Sequence, residues 1–289
     1  MNIHSFINFW HFKRPIRIII FGIHSPDWME ALDANADLWT KMPSIKEVIH
    51  IPDNKTEIPE PKFKFTKTVI IPLMENHTLN CPHKFYSLFP NAQALNIFSK
   101  KNIYHKYIAN NNLDTLAPRI YLRIEDVIYP AVLKRLDLNG GQGIFVINSY
   151  SELIDKIRQN IFLNQRFLLE ELIPGNKDYV THCVCKNGLI VWQTTFLFKM
   201  RGQREIRGPH NPGDIEYFNA SKKTLREIES ILIPLQYSGP CNIDYRITPD
   251  GKVKVFEINP RLGGTLMYKD NIYLLAEAIK AIVSFSTKH

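Results

Sequence analysis

The stretch Val255–Gly264, VFEINPRLGG, decides how the chain is read. It starts as an apolar strand, yet Glu257, Asn259 and Arg261 recur at every second position. Side chains along a strand alternate faces, so these three share one face with Val255, while Phe256 and Ile258 turn the other way. A polar stripe on a core-building strand is costly unless something outside the chain satisfies it.

Working outward, CNIDYRITPDGKVKVFEINP (Cys241–Pro260) reads as a hairpin turning at Pro249-Asp250-Gly251. Asp244 and Glu257 are equally far from Asp250-Gly251 and therefore stand directly opposed. Directly opposed Cβ atoms lie about 4.5–5.5 Å apart. Two carboxylates at that separation repel, and one is driven towards protonation unless a cation sits between them. Asn259 adds a neutral oxygen on the same side. Three hard oxygens with an open side suit Mg²⁺, which keeps waters and shares the phosphate oxygens of a nucleotide. Any one of these acids alone reads as part of a solvated face. The register-matched set, followed by Pro260, Arg261 and Gly263-Gly264, reads as a metal site.

Bulk properties leave room for such a site. The 289 residues are 45% hydrophobic and 22% charged, which describes an ordinary globular chain able to bury a sizeable core. The formal net charge is +8, but clusters such as KFKFTK (Lys62–Lys67) are broken by apolar residues. Aromatics are not interleaved with the charges on any one element, which disfavours a nucleic-acid surface. Cys81, Cys183, Cys185 and Cys241 have no zinc-like spacing and read as reduced core thiols, which favours a cytoplasmic setting. No apolar run approaches membrane-spanning length. The aromatic N-terminus, MNIHSFINFWHFKRP, lacks the charge pattern of a signal peptide.

IRIIIFG (Ile16–Gly22) is a β-branched run suited to a strand buried on both faces of a parallel sheet. A helical pattern over SPDWMEALDANADLWTKM follows, then the strand-like EVIHIP and TVIIPL. This predicts a small α/β domain over residues 1–98. The first strand is not followed by a G-x-G-x-x-G turn, so dinucleotide binding is unsupported. SKKNIYHKYIANNNL and SYSELIDKIRQNI read as helices, the second capped by Ser149 or Ser151. VTHCVCKNGLIVWQTTFLFKM reads as two strands turning at Asn187-Gly188. SKKTLREIESILIPLQ and NIYLLAEAIKAIVSF complete the chain as helices around the carboxylate hairpin.

Two further stretches carry binding chemistry. YPAVLKRLDLNGGQGIFV (Tyr129–Val146) is a hairpin whose tip holds Gly140, Gly141 and Gly143, with Lys134 on the incoming strand. Such a tip exposes backbone N–H groups to an anion, and a lysine there supplies a point charge for phosphate; alone, it is equally a flexible turn. FLLEELIPGNKDYV (Phe167–Val180) ends an apolar strand with Glu170 and Glu171 before a Pro-Gly turn. Leu172, Ile173 and Asp178 suit the edge, the faces and the ribose of a purine nucleotide, although the stretch taken alone is also a plain strand exit. The basic loop KMRGQREIRGPHNPGD (Lys199–Asp214) reads either as a solvated loop or as a recruiter of an anionic substrate through Lys199, Arg201, Arg204 and Arg207.

In this order, the pieces resemble the ATP-grasp superfamily, within the carboxylate–amine ligases that join amino acids and peptides. The likeness runs from about residue 99 to the C-terminus and is most specific in NIDYRITPDGKVKVFEINPRLGG. It implies an α/β (α+β) ATP-grasp fold behind a short N-terminal Rossmann-like pre-ATP-grasp domain. The expected division is 1–98 and 99–289, with a lid at about 118–172 and a catalytic part at about 173–289. It implies ATP with one or two Mg²⁺ (or Mn²⁺) held by Asp244, Glu257 and Asn259. Lys134, and Lys101 or its neighbour Lys100, would meet phosphates. Glu170, Glu171, Leu172 and Ile173 would form the adenine hinge, with Asp178 on the ribose where the family usually has Glu. Gly140, Gly141 and Gly143 would close over the triphosphate. Arg261 would stabilise the acyl phosphate and the transferring phosphoryl group. From the basic loop, Lys199 and Arg201 are the further catalytic candidates, with Lys199 expected to reach the γ-phosphate.

The implied reaction joins a small-molecule carboxylate to an amine through an acyl phosphate, in the cytoplasm, in a protein that many members of the family build as a homodimer. An ATP-grasp kinase and a non-catalytic nucleotide-binding protein are the alternatives. Nucleic acid and membrane are not expected partners.

Overall fold

A computed structural model describes residues 14–138, 141–208 and 213–288. The run Ile16–Phe21 forms β1 and is buried along its whole length. Ile18 and Ile20 enter one core cluster while Ile19 and Phe21 enter another, so β1 is covered on both faces, as its unbroken apolarity requires. Two short helices follow, α1 (Pro26–Ala31) and α2 (Asp37–Thr40), where the sequence pattern reads as one. Next come β2 (Ile45–Ile51), β3 (Lys67–Pro72), α3 (Glu75–Leu79), β4 (Tyr86–Ser87), α4 (Ala92–Phe98) and α5 (Lys101–Asn110). Strands β2 and β3 flank β1, both parallel to it. The chain therefore crosses from one side of β1 to the other, and a crevice opens beyond the carboxyl ends of β1 and β3.

The middle of the chain builds a four-stranded antiparallel sheet. It comprises β5 (Ile120–Tyr121), β6 (Ala131–Arg135), β7 (Ile144–Ile147) and, after helix α6 (Tyr150–Ile157), β8 (Phe167–Glu171), in the order β5-β8-β6-β7. Ser149 caps α6, its Oγ accepting from Glu152 N at 3.2 Å. Glu152 Oε2 in turn accepts from Asn148 N at 2.7 Å. This cap explains why the helix starts where the sequence predicts. Leu133, Ile147, Leu153 and Phe162 give this layer a core of its own.

The last part contains β9 (Lys177–Lys186), β10 (Leu189–Lys199), β11 (Asp214–Phe218), α7 (Lys222–Leu232), β12 (Gly239–Ile247), β13 (Val253–Asn259), α8 (Ile272–Phe285) and β14 (Thr287–Lys288). Its antiparallel sheet has the order β11-β10-β9-β12-β13. Asn187 and Gly188 both take positive φ, as the two-residue turn between β9 and β10 demands. One face of this sheet packs Cys183, Cys241 and Ile258 with Tyr104 of α5 and Ile228 of α7. The other face packs Val180 and Phe196 against α8 and against Ile18 and Val69 of the first sheet. The first sheet thus shares a core with the last, and β14 returns to pair with β4. All four cysteines are buried and free. Among the described residues no helix is long and apolar enough to cross a membrane.

The β12–β13 register confirms the opposition of Asp244 and Glu257 and corrects the strand beyond it. Asn242 pairs with Asn259 and Asp244 with Glu257, but Tyr245 pairs with Val255. Phe256 is therefore the extra residue of a β-bulge. A bulge resets the alternation, so Val255 enters the core and Phe256 lines the cleft beside Glu257, the reverse of the simple alternating assignment.

The crevice at the end of β1 depends on Gly22. Its φ is +105°, and a Cβ there would lie 2.1 Å from His77 Nδ1. Gly22→Ala is expected to destabilise the protein by about 1–3 kcal/mol through backbone strain and this clash, measured by urea unfolding. An unchanged midpoint would show that the crevice tolerates a side chain.

Candidate active site

A cleft of about 600 Å³ runs between the four-stranded middle sheet and the last sheet and reaches the crevice of the first. Most of the residues predicted from the sequence converge on it: Lys134, Gly141, Glu170 to Ile173, Asp178, Asp244, Glu257, Asn259 and Arg261. Gly140 lies outside the described residues. Gly143 does not line the cleft: it takes φ +67°, a Cβ there would meet Arg135 and Leu138 at 2.8 Å, and its role is to turn the hairpin.

Four of the acids in the cleft, Glu170, Asp178, Asp244 and Glu257, are each held by a cation from another element. Lys134 of β6 pairs with Glu170 of β8 at 2.5 Å, and His105 of α5 donates to the same carboxylate from Nε2 at 3.1 Å. Burial alone would push the Glu170 carboxyl up, but the Lys134 ammonium and the His105 hydrogen bond outweigh it and hold the group at about 2. Glu170 therefore backs Lys134, with only 2% of its surface exposed. Asp178 pairs with Arg246 of β12 at 2.5 Å, and the same guanidinium donates to the carbonyls of Ile173 and Glu205 at 2.5 Å each. Arg246 thus ties the segment after β8 to the last sheet. Phe256 lies between two cations, its ring centre 5.6 Å from Lys134 Nζ and 6.0 Å from the Arg246 guanidinium carbon.

The opposed carboxylates obey the same rule. Lys101 Nζ sits 3.6 Å from Glu257 Oε1 and donates to the Leu138 carbonyl at 2.9 Å. Its neighbour Lys100 points away, to Asn96 Oδ1 at 2.8 Å. Asp244 pairs with Arg207, whose guanidinium carbon stands 4.2 Å over the Phe198 ring. Asn259 Nδ2 reaches Asp244 Oδ2 at 3.5 Å. Burial raises the Asp244 carboxyl above its ordinary value; Arg207 opposes this and Glu257 adds to it. Among the described residues no group of three or more His, Cys, Asp or Glu is arranged to hold a metal. The donor set is two carboxylates and an amide. That set fits a hard cation which keeps waters and shares phosphate oxygens.

At the far end of the cleft, Arg261 Nη1 donates to Glu75 Oε1 at 2.8 Å, joining the last sheet to α3. Asp27 also lines this end, and the Ser25 hydroxyl hydrogen bond at 2.5 Å lowers its carboxyl. Beneath the cleft floor, His182 stands opposite Asn242 on adjacent strands. Neither ring nitrogen of His182 has a hydrogen-bond partner among the described residues, nor does Asn242 Oδ1. Burial, with Arg207 nearby, lowers the His182 imidazole to about 3, so it stays neutral.

The structure places Lys199 and Arg201 away from the cleft. Lys199 alternates with Phe198, which faces inward, so its ammonium turns outward and meets Glu216 at 2.5 Å. Arg201 is exposed in the bend beyond β10. Of the four basic residues singled out in this loop, only Arg207 lines the cleft. Arg246, His105 and Glu75 were not singled out from the sequence, because each meets its partner only through long-range packing. For Arg246 there was a signal: it stands two residues from Asp244 on the same strand.

No family model matches the chain, and no curated protein matches it. Solved structures do. The D-alanine–D-alanine ligase of Bacillus anthracis complexed with ATP superposes with a TM-score of 0.61 at 13% identity, covering 94% of this chain and 96% of that one. The phosphoribosylamine–glycine ligase of Thermotoga maritima gives 0.64 at 15% identity, covering 94% and 76%. An L-amino acid ligase of Bacillus licheniformis gives 0.54 at 15% identity, covering 96% and 75%. The chain therefore has the ATP-grasp fold anticipated from its sequence.

Glu170→Gln is expected to cost about 3–5 kcal/mol at neutral pH, because it leaves the Lys134 ammonium buried without its carboxylate. The native carboxyl titrates at about 2 against an ordinary 4.5. The sign follows: the pair's contribution is complete above the ordinary value and is lost as pH falls through the native one. Urea midpoints measured down this range should fall more steeply for the wild type than for the variant.

Proposed function

We propose that the protein is an ATP-dependent carboxylate–amine ligase acting on small molecules. The observation that carries this reading is the direct opposition of Asp244 and Glu257, with Asn259, in a cleft of about 600 Å³ that is also lined by Lys134, Arg207, Arg246 and Arg261. Val132, Ile144 and Phe256 offer apolar surface for the faces of adenine, and the backbone of Glu171 to Ile173 offers edge donors and acceptors. Asp178, shorter than glutamate, is braced by Arg246 to serve the ribose. The N-terminal 98 residues would act as the domain that completes the substrate end of the cleft, through Asp27 and through Glu75 behind Arg261.

Asp244, Glu257 and Asn259 would hold Mg²⁺, which supplies charge neutralisation for the phosphates when bound. The chain's own residues position and orient. Lys134 and Lys101 present ammonium groups to phosphate oxygens, and Gly141 brings backbone close to them. A substrate carboxylate oxygen attacks the γ-phosphorus of ATP, the bond to the bridging oxygen breaks, and ADP leaves with an acyl phosphate remaining. Arg261 faces the charge of that acyl phosphate. An amine nitrogen then attacks the acyl carbon, the carbon–oxygen bond breaks, phosphate departs and the amine gives up its proton. No covalent bond to the protein is needed, so catalysis is positioning and charge stabilisation.

A screen of amino acids and small acids for ATP-dependent phosphate release is the test, and release that requires both a carboxylate and an amine is the expected result. Glu257→Gln removes a charge with little change in volume. It should cut turnover by at least about 100-fold while leaving the circular dichroism spectrum unchanged. Undiminished ADP formation in that variant would refute the assignment.

A further inference from the structure

Asp244 is the more deeply placed of the two opposed carboxylates, with 18% of its side chain exposed against 33% for Glu257. An ionised carboxylate in that position needs a counter-charge, and here it comes from the chain's own Arg207. Arginine suits the position. Its guanidinium is delocalised, weakly hydrated and always charged, and it stacks on the Phe198 ring. Its loop is folded on itself by Arg201 N, which donates to Glu205 Oε2 at 2.9 Å, and is held at the cleft by Arg246, which donates to the Glu205 carbonyl.

On the ligase reading above, we infer that Arg207 is a resident counter-cation of the metal site, one that makes metal and nucleotide bind together rather than the metal alone. The thermodynamics follow from the partners each group can have. A metal ion arriving by itself must take Asp244 from Arg207 and leave a guanidinium, 27% exposed, without its anion. A metal ion arriving with a nucleotide brings phosphate oxygens, which are equally good partners for a guanidinium. The ion pair is then exchanged rather than lost. Nucleotide therefore raises metal affinity and metal raises nucleotide affinity by the same factor. Lys101, paired with Glu257 and adjoining the lid at Leu138, undergoes the same exchange at the second carboxylate.

The test is Mn²⁺ binding to the nucleotide-free protein, read from the loss of the free-ion signal in electron paramagnetic resonance. Arg207→Gln should bind Mn²⁺ alone at least about tenfold more tightly than wild type, within the usual span of coupling between sites. Arg207→Lys, which keeps the charge, should stay near wild type. Thermal melts of the three proteins establish that each is folded. Equal Mn²⁺ affinities in wild type and Arg207→Gln, both abolished by Glu257→Gln, would overturn this inference and leave the metal site standing. Mn²⁺ binding that is indifferent to Glu257→Gln in every protein, with or without ATP, would overturn the ligase reading as well.

Discussion

Two carboxylates facing each other across neighbouring strands repel, and the rest of the cleft is arranged around that repulsion. Asp244 and Glu257 are held opposite one another by the ladder of β12 and β13, which neither can leave. Burial sharpens the conflict, and this is why the Asp244 carboxyl rises despite an arginine beside it. The molecule answers by importing positive charge from distant parts of the chain. Arg207 comes from the loop after β10 and Lys101 from the start of α5. The same solution recurs around the cleft, with Lys134 on Glu170, Arg246 on Asp178 and Arg261 on Glu75.

These pairs do more than neutralise charge. Each one spans two elements, so together they fix how the middle sheet, the last sheet and the first sheet meet. Arg246 reaches the carbonyl of Ile173 after β8, Lys101 reaches the Leu138 carbonyl after β6, and Arg261 reaches α3. Partly buried ion pairs of this kind contribute little net stability compared with packed apolar groups, but breaking one leaves a charge stranded. That asymmetry favours a cleft whose basic groups are already oriented and which gives up an internal anion only when a better one arrives. The neutral His182 and the unpartnered Asn242 oxygen beneath the floor mark another place where polarity is kept in the interior.

Much of this was legible in the sequence wherever the information is local. The β-branched run of β1, the Asn187-Gly188 turn and the Ser149 cap each follow from neighbours in sequence. Local reading failed where one residue shifted a pattern. The bulge at Phe256 reversed the faces of Val255 and Phe256, and it also brings Glu257 opposite Asp244: beside the turn the pairs are Ile247–Val253 and Arg246–Lys254, centred on Asp250, and the extra residue moves the register on by one. Lys199 and Arg201 failed for a similar reason: a basic loop announces charge, but strand alternation decides that Phe198 faces in and Lys199 faces out.

By itself, then, the amino-acid sequence determined the buried strand β1, the turn at Asn187-Gly188 and the capped start of α6, since these depend on periodicity and turns, while its resemblance to the ATP-grasp family pointed to the fold. Tertiary structure alone decided which cation serves which acid. Arg207 and Asp244 are far apart along the chain, as are Glu75 and Arg261, and His105 and Glu170, and nothing in the sequence between them sets the distance. Coulombic attraction acts through space, and only the packed sheets determine which charges come within its reach.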